Sequence, residues 1–568
     1  MDTKLITRLS YEHIFNDNES IQNLIKKADV LKSLEVLALI NKYEYKIHRN
    51  SNSEVRFIVQ EWLKDVDESI KKKIVVSFLK FSEKNKKGIV NNTDFTSVSI
   101  INRISTLRLL EIFSSNSPND IVVKDEKDNA LIVFKLYLLV SDEISKRQDK
   151  VFRKYFVNKR TSIDEIHFHL FFGLTHPIIN SSQSKWLTPE IFKFLLFEKW
   201  LRTMPHYYSM SEDYLKQIGL NSWYEYFSDV FSLSRINTES HRLSIKDYPV
   251  LSKVLNYFTS KNDFSPQWSE FLNLKKRPII KLNENDYLIL DFEFLLNKFF
   301  TSLYHDLLNH SKSKFGNKFS QDYNSLFIED VLLHNTFKCA FGNSYIKHSE
   351  IEIKQHNVKG IQSLGLPDYY IRNGNKVFLF ECKNSFISHA NKIDLNTEAL
   401  LEEIETKFYR ISESESNKKK DKAIKQLVKY ILNLHQNKYA FFDNIKNTNN
   451  IVFYPILLVT DYTLCSLGFN KLLNTYFEKE IESINHQLKG KIKPLTIIHI
   501  DDFLFHRDRL KKLDGIIIKY HNYLKNRNGF DVMVSFTDYL DNILFDGNPP
   551  LKKKSVEHIL ENSLLPSE

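Results

Sequence analysis

The sequence predicts an α+β, multidomain protein: a mostly α-helical N-terminal region followed by a mixed-sheet α/β domain. Three observations lead there. The chain has 568 residues, more than one ordinary core accommodates. Only 13 Gly and 13 Pro interrupt it, which favours helices. Near residue 275 the apolar pattern changes, from three- and four-residue spacing to short runs alternating with helical segments.

Residues 1–270 read as helical, with segments such as Leu24–Ile40 and Val55–Lys84 carrying apolar residues at helical spacing. Polar breaks at residues 114–120 and 180–184 predict loops. Residues 271–315 read as hairpin and linker. Two apolar runs flank Asn283-Glu284-Asn285-Asp286, and a polar, Gly-containing stretch follows at 310–321. Residues 316–510 predict the α/β domain. A helix runs from about Phe319 to Asn335, strands cover 344–353, 367–372 and 376–383, a helix covers 422–433, and strands cover 451–461 and 495–500. Residues 511–568 read as a C-terminal helical appendage.

Composition narrows the class. Hydrophobic residues make up 42% and charged residues 26%, as in soluble globular proteins, and 43 Phe with 27 Tyr supply material for large cores. The formal net charge of +10 suits a phosphate-bearing partner. Cys339, Cys382 and Cys465 lie far apart without a CxxC pair, which excludes a disulfide framework and a zinc finger. The first residues lack the apolar run of a signal peptide. The longest apolar stretch, Ala130–Val140, is interrupted by Lys135, so no membrane span is predicted and a cytoplasmic location is expected. No GxxxxGK[ST] loop occurs, so any ATP-driven step would fall to a partner subunit.

The chemistry concentrates between Gly365 and Lys383. Asn373-Gly374 predicts a two-residue hairpin turn, pairing Arg372 with Asn375 and setting Asp368 opposite Leu379. Side chains alternate along a strand, so Leu379, Glu381 and Lys383 share a face, and Asp368 points to it diagonally from Glu381. Two carboxylates and an amine thus converge at one end of a hairpin. That set suits phosphodiester hydrolysis. Asp368 and Glu381, with the backbone carbonyl of Cys382, are oxygen donors for Mg²⁺ or Mn²⁺. Such an ion polarises phosphate and acidifies a bound water, and Lys383 would orient that water or offset transition-state charge.

Pro367-Asp368 followed by Glu381-Cys382-Lys383 resembles the signature of the PD-(D/E)XK nuclease superfamily. Of the 13 prolines only Pro367 precedes an Asp. Gln426-Leu427-Val428-Lys429-Tyr430 resembles the QxxxY motif of its RecB- and Cas4-like branch, on a predicted helix where positions i and i+4 share a face. The resemblance covers about residues 316–510 and implies a restriction-endonuclease-like fold and a metal-dependent nuclease. It implies DNA rather than RNA as substrate, a role in restriction or anti-phage defence, and Gln426 and Tyr430 supporting the site. It also implies a further acid on the preceding helix, for which Glu329 is the candidate. The basic loop residues Lys418, Lys419, Lys420 and Lys422 are candidate phosphate contacts. An RNase with the same site and a non-catalytic nucleic-acid-binding or assembly subunit are the alternative readings.

Three other features read as structural. His167 and His169, with His176 nearby, are expected to be core histidines rather than metal ligands. Asp501-Asp502 are expected to cap a helix. The aromatic run between Trp200 and Arg235 is expected to fill a helical core rather than stack on bases.

Overall fold

The computed structural model describes residues 6–545 apart from 47–50, 88–96, 116–124, 158–160, 176–182, 237–240, 262–265, 267–270, 357–359, 411–420, 483, 485 and 527–532. Up to residue 276 the described chain is almost wholly helical, as its periodicity predicts, with local breaks. The Leu24–Ile40 segment divides at Ala28 into helices Ile21–Lys27 and Val30–Lys46. The Val55–Lys84 segment is likewise divided before the helix Glu68–Lys87.

Among the described residues, ten strands form three sheets. Ile6–Arg8 (β1) and Ser97–Ser99 (β2) pair in parallel. Arg242–Ser244 (β3), Ile279–Lys281 (β4) and Asp286–Ile289 (β5) form an antiparallel sheet in the order β3-β5-β4. The predicted hairpin at 279–289 is therefore present, with a third strand added from the helical region. The stretch 310–321 is not a linker. Its first half finishes the helix Thr301–Phe315, and Lys318–Asp322 is helical again. Lys and Ser are tolerated on an exposed helical face, and only Gly316 interrupts the run.

The largest sheet carries the site. Ile346–Ser349 (β6), Tyr369–Asn373 (β7), Lys376–Lys383 (β8), Val452–Val459 (β9) and Thr496–His499 (β10) lie in the order β10-β9-β8-β7-β6. The β6-β7-β8 pairs are antiparallel and the β8-β9-β10 pairs parallel, so β8 is paired on both edges at the switch between the two modes. A strand paired on both edges and covered on both faces reads as continuous apolar sequence, as Val377–Phe380 does.

Alternation sends successive β8 residues to different cores. Phe378, Phe380 and Cys382 join a core with Phe337 and Phe503. Phe337 lies 4.5 Å from Phe380, 4.7 Å from Tyr369 and 5.0 Å from Phe503, ring centre to ring centre. Val377 and Leu379 face a second core with Leu427, Val428 and Ile431 of the helix Ala423–His435. A third core fills the N-terminal helices and takes Ile280, Leu288 and Phe294 from the hairpin region.

The helical half is docked on the sheet. The helix Ser162–Thr175 contributes Ile166, Leu170 and Phe171 to the second core. It crosses Gly468 so closely that a Cβ there would sit 3.1 Å from the Ile166 carbonyl oxygen, and Gly468 also has φ 79°. Both constraints require glycine. On the same helix His169 is buried and His167 packs against Tyr155 and Phe171, so both are core residues, while His176 lies outside the described residues. Trp200, Tyr207, Tyr214, Trp223 and Tyr226 are core residues too; Tyr224 is 81% exposed. Among the described residues no helix is long and apolar enough to cross a membrane.

Burial pushes the His169 imidazole down to about 4. The unfolded chain protonates this group near its ordinary value of about 6.5, so between those limits the unfolded state binds more protons. Stability therefore falls as pH falls through that window, by up to about 1.4 kcal/mol per pH unit from this residue. Urea midpoints measured at pH 7.5 and pH 5 should show a smaller acid-induced drop in His169→Gln than in the wild type.

Candidate active site

The β7-β8 turn sets the first geometric relation. Asn373 pairs with Lys376 and Tyr369 with Phe380, so the central turn residues are Gly374 and Asn375, not Asn373 and Gly374. Only Gly374 has positive φ (60°), at the first central position, the pattern of a type II′ turn. The predicted register is therefore corrected by two residues. The shift preserves every face assignment and improves the juxtaposition, since continuing the ladder by one residue places Asp368 directly opposite Glu381 rather than diagonal to it. The Cys382 backbone N–H donates to Asp368 Oδ2 at 2.6 Å, fixing one carboxylate oxygen. Asp368 Oδ1 has no hydrogen-bond partner among the described residues, and the residue remains partly accessible.

Glu381 is 1% exposed. Its Oε1 accepts from Lys383 Nζ at 2.7 Å and its Oε2 from the Tyr430 hydroxyl at 2.8 Å. Gln426 Nε2 lies 3.4 Å from the same hydroxyl. The helix Ala423–His435 lays its apolar stripe on the sheet, and four-residue spacing stacks Gln426 over Tyr430. The sequence-predicted set Asp368, Glu381, Lys383, Gln426 and Tyr430 is thus brought together.

Electrostatics follow from the shared burial. Asp368 is held well above the carboxylate range by desolvation, then by the charges of Glu381 and Glu329, with Lys383 opposing. Burial alone would depress Lys383, but Glu381 and Asp368 outweigh it and keep the ammonium charged. Burial and the neighbouring Glu381 raise Tyr430, which stays a neutral donor. Glu329 is pushed up to about 7 by burial, Lys383 lowering it and Glu350, Glu381 and Asp330 adding to the rise. That residue sits in Tyr323–Leu333, a helical stretch with wide i→i+5 hydrogen bonds, which brings it within electrostatic reach of Asp368, Glu381 and Lys383.

Three acids share one ammonium, and burial with mutual repulsion holds Asp368 and Glu329 toward their protonated forms; the donors are all carboxylate oxygens, which suit a hard dication in place of those protons. Asp368 and Glu381 are the residues placed to hold one, with Glu329 within electrostatic reach as a third. Among the described residues no group of three or more His, Cys, Asp or Glu side chains is already gathered in ligand geometry. Cys382 follows Glu381 on β8 and presents its N–H to Asp368; its side chain faces the opposite core.

One residue escaped the sequence reading. Asn384 follows Lys383 directly, donates to Asn324 Oδ1 at 2.6 Å and accepts from the Thr460 hydroxyl. It ties the end of β8 to the Glu329 helix and to the end of β9, and its place one residue beyond the strand was the only signal. Of the basic loop, Lys418, Lys419 and Lys420 lie outside the described residues. Lys422 is half-buried at the start of the Ala423–His435 helix.

No family model, curated protein or solved structure matches the chain.

The expected cap at Asp501-Asp502 is corrected. His499 caps the helix Ile500–Phe505, and its ring accepts from the Asp501 N–H at 3.1 Å. The two aspartates occupy the first turn, where the helix dipole favours them. Asp501 accepts from Lys193 at 3.0 Å and Asp502 from Thr537 at 2.7 Å.

A buried acid whose ionisation the fold opposes and the unfolded chain does not is destabilising at neutral pH until a cation offsets its charge. Asp368→Asn keeps the acceptor for the Cys382 N–H and removes that acid. It should raise the melting temperature in EDTA, by the equivalent of about 1 kcal/mol. The wild type should gain stability on adding Mg²⁺ or Mn²⁺, and Asp368→Asn should lose most of that gain, as differential scanning calorimetry would show.

Proposed function

We propose that the chain is a divalent-metal-dependent nuclease of the PD-(D/E)XK type, its β6–β10 sheet the core of a restriction-endonuclease-like domain, and that its substrate is DNA. The observation that carries this reading is the grip on Glu381, a buried carboxylate held by Lys383 and Tyr430 and faced by Asp368. Each member has the residue type and position that phosphodiester hydrolysis needs, and the chain's net charge of +10 favours a polyanionic substrate.

A divalent cation bound by Asp368 and Glu381 would supply phosphate polarisation and a more acidic water. The chain's own residues do the rest. Lys383, kept charged by its two carboxylate neighbours, cannot serve as a base; it offsets negative charge building on the phosphate oxygens. Tyr430 fixes the rotamer of Glu381 by donating to Oε2, and Gln426 adjoins that hydroxyl, so both are positioning residues. The Cys382 N–H holds Asp368 by Oδ2, leaving Oδ1 without a hydrogen bond among the described residues. A role in anti-phage defence or restriction is the biological setting this reading favours.

The test is a cleavage assay on linear, circular and single-stranded DNA and on RNA, with Mg²⁺, Mn²⁺ or EDTA. Cleavage should require metal. Asp368→Ala and Lys383→Ala should lower it by about 10²–10³-fold, and Tyr430→Phe by about 10–100-fold. Metal-dependent cleavage that survives both alanine substitutions would overturn the site assignment, and RNA cut in preference to DNA would overturn the substrate.

A further inference from the structure

A polar cavity lies outside this constellation. It is an open cleft of about 800 Å³, walled by the end of the helix Pro205–Gln217, the helix Ser252–Phe258, the segment Lys276-Arg277 and one face of the helix Thr301–Phe315. That volume falls in the range of small-molecule sites.

Its charge is one-sided. Among the described residues, Lys253, Lys261, Lys276 and Arg277 line the cleft against a single carboxylate, Asp306. Asp306 is already committed, 3.5 Å from the ammonium of the fully buried Lys298. Lys261 and Lys276 are exposed and have no carboxylate partner among the described residues. Arg277 spends one N–H on the Thr259 carbonyl at 3.2 Å, which holds its guanidinium at the wall. Lys253 alone has an acid nearby, Glu225 at 3.4 Å. The convergence is close enough that Lys276 and Arg277 both depress Lys298, below what its burial does first.

One polar atom in the same walls lacks a partner. His310 Nε2 is buried without a hydrogen bond, its ring 5.9 Å from that of Tyr214, whose hydroxyl lies beside the Tyr257 phenol. Buried donors and acceptors left unmet cost free energy that a ligand can return. Four converging cations repel one another in the same way until a multiply charged anion enters.

We propose that this cleft is a binding site for a phosphate-bearing ligand of nucleotide size, distinct from the Asp368–Glu381 site. The cations take the phosphates, and the amide side chains of Asn256 and Asn309 with the Tyr257 ring offer neutral contacts to the remainder of the molecule. Free nucleotides and the backbone of a nucleic-acid strand share this chemistry.

The test uses the full-length protein in EDTA, so that no metal bridges phosphate to Asp368 or Glu381. Inorganic tripolyphosphate is titrated calorimetrically at low salt. The wild type should bind it, and Lys261→Glu/Lys276→Glu should weaken binding at least about tenfold. A control with the same change in net charge, Lys72→Glu/Lys80→Glu on an exposed helical face, and the Asp368→Asn variant should both bind as the wild type does. ATP and a short single-stranded DNA oligonucleotide then compete for the site; the better competitor identifies the source of the phosphate. No binding at about 1 mM tripolyphosphate, or equal weakening in the two double variants, would overturn the proposal.

Discussion

Burial of the Glu381 carboxylate is the constraint around which the α/β domain is organised. An ionised carboxylate removed from water costs several kcal/mol unless its lone pairs are met. Lys383 and Tyr430 meet them from different elements, one two residues along the same strand and one on a helix packed over it. Satisfying Glu381 therefore fixes how the helix Ala423–His435 lies on the sheet. Its tightly packed apolar stripe of Leu427, Val428 and Ile431 keeps that alignment rigid. The same strand must be paired on both edges to be buried at all, so β7 and β9 are as necessary to the carboxylate as its direct partners.

Charge burial recurs where the helical half meets the sheet. Lys193 bridges Glu190 on its own helix and Asp501 after β10, and Glu190 in turn accepts from the backbone N–H groups of Phe300 and Thr301 at the start of the helix Thr301–Phe315. Breaking one member of such a set leaves a buried charge uncompensated, which is far costlier than the pair is worth. With the Gly468 crossing, these contacts make the N-terminal helices a packed flank of the sheet.

How much of this was legible in the sequence depended on local rules. The β7, β8 and β9 positions were readable because Val377–Phe380 and Val452–Val459 are unbroken apolar runs and Asn373-Gly374-Asn375 allows few conformations, whereas the strand expected over 344–353 stops at Ser349, which caps the helix Glu350–Lys354. The register was not, since Gly374 can serve either position of a two-residue turn; the face assignment survived because a shift of two preserves it. Gln426 and Tyr430 were readable from i, i+4 spacing. Glu329 was not, because the i→i+5 winding of Tyr323–Leu333 erases the 3.6-residue period that would assign its face. The basic cleft was invisible for another reason. Its cations come from separate segments between residues 253 and 277, and its remaining walls from helices starting at residues 205 and 301.

The parallel pairing of β8 with β9 has a consequence for the order in which the protein matures. An antiparallel hairpin such as β7-β8 closes locally, but parallel neighbours need a long crossover, and here the crossover includes the helix that supplies Tyr430. Glu381 and Tyr430 are 49 residues apart in the chain, so their meeting carries a loop-closure cost that the hairpin does not bear. The acidic pair at the hairpin end can thus come together early in synthesis, while the complete constellation waits for the crossover and for β9. A nascent or truncated chain ending before residue 423 holds all three acids, Asp368, Glu381 and Glu329, and the lysine without Tyr430, which orients Glu381.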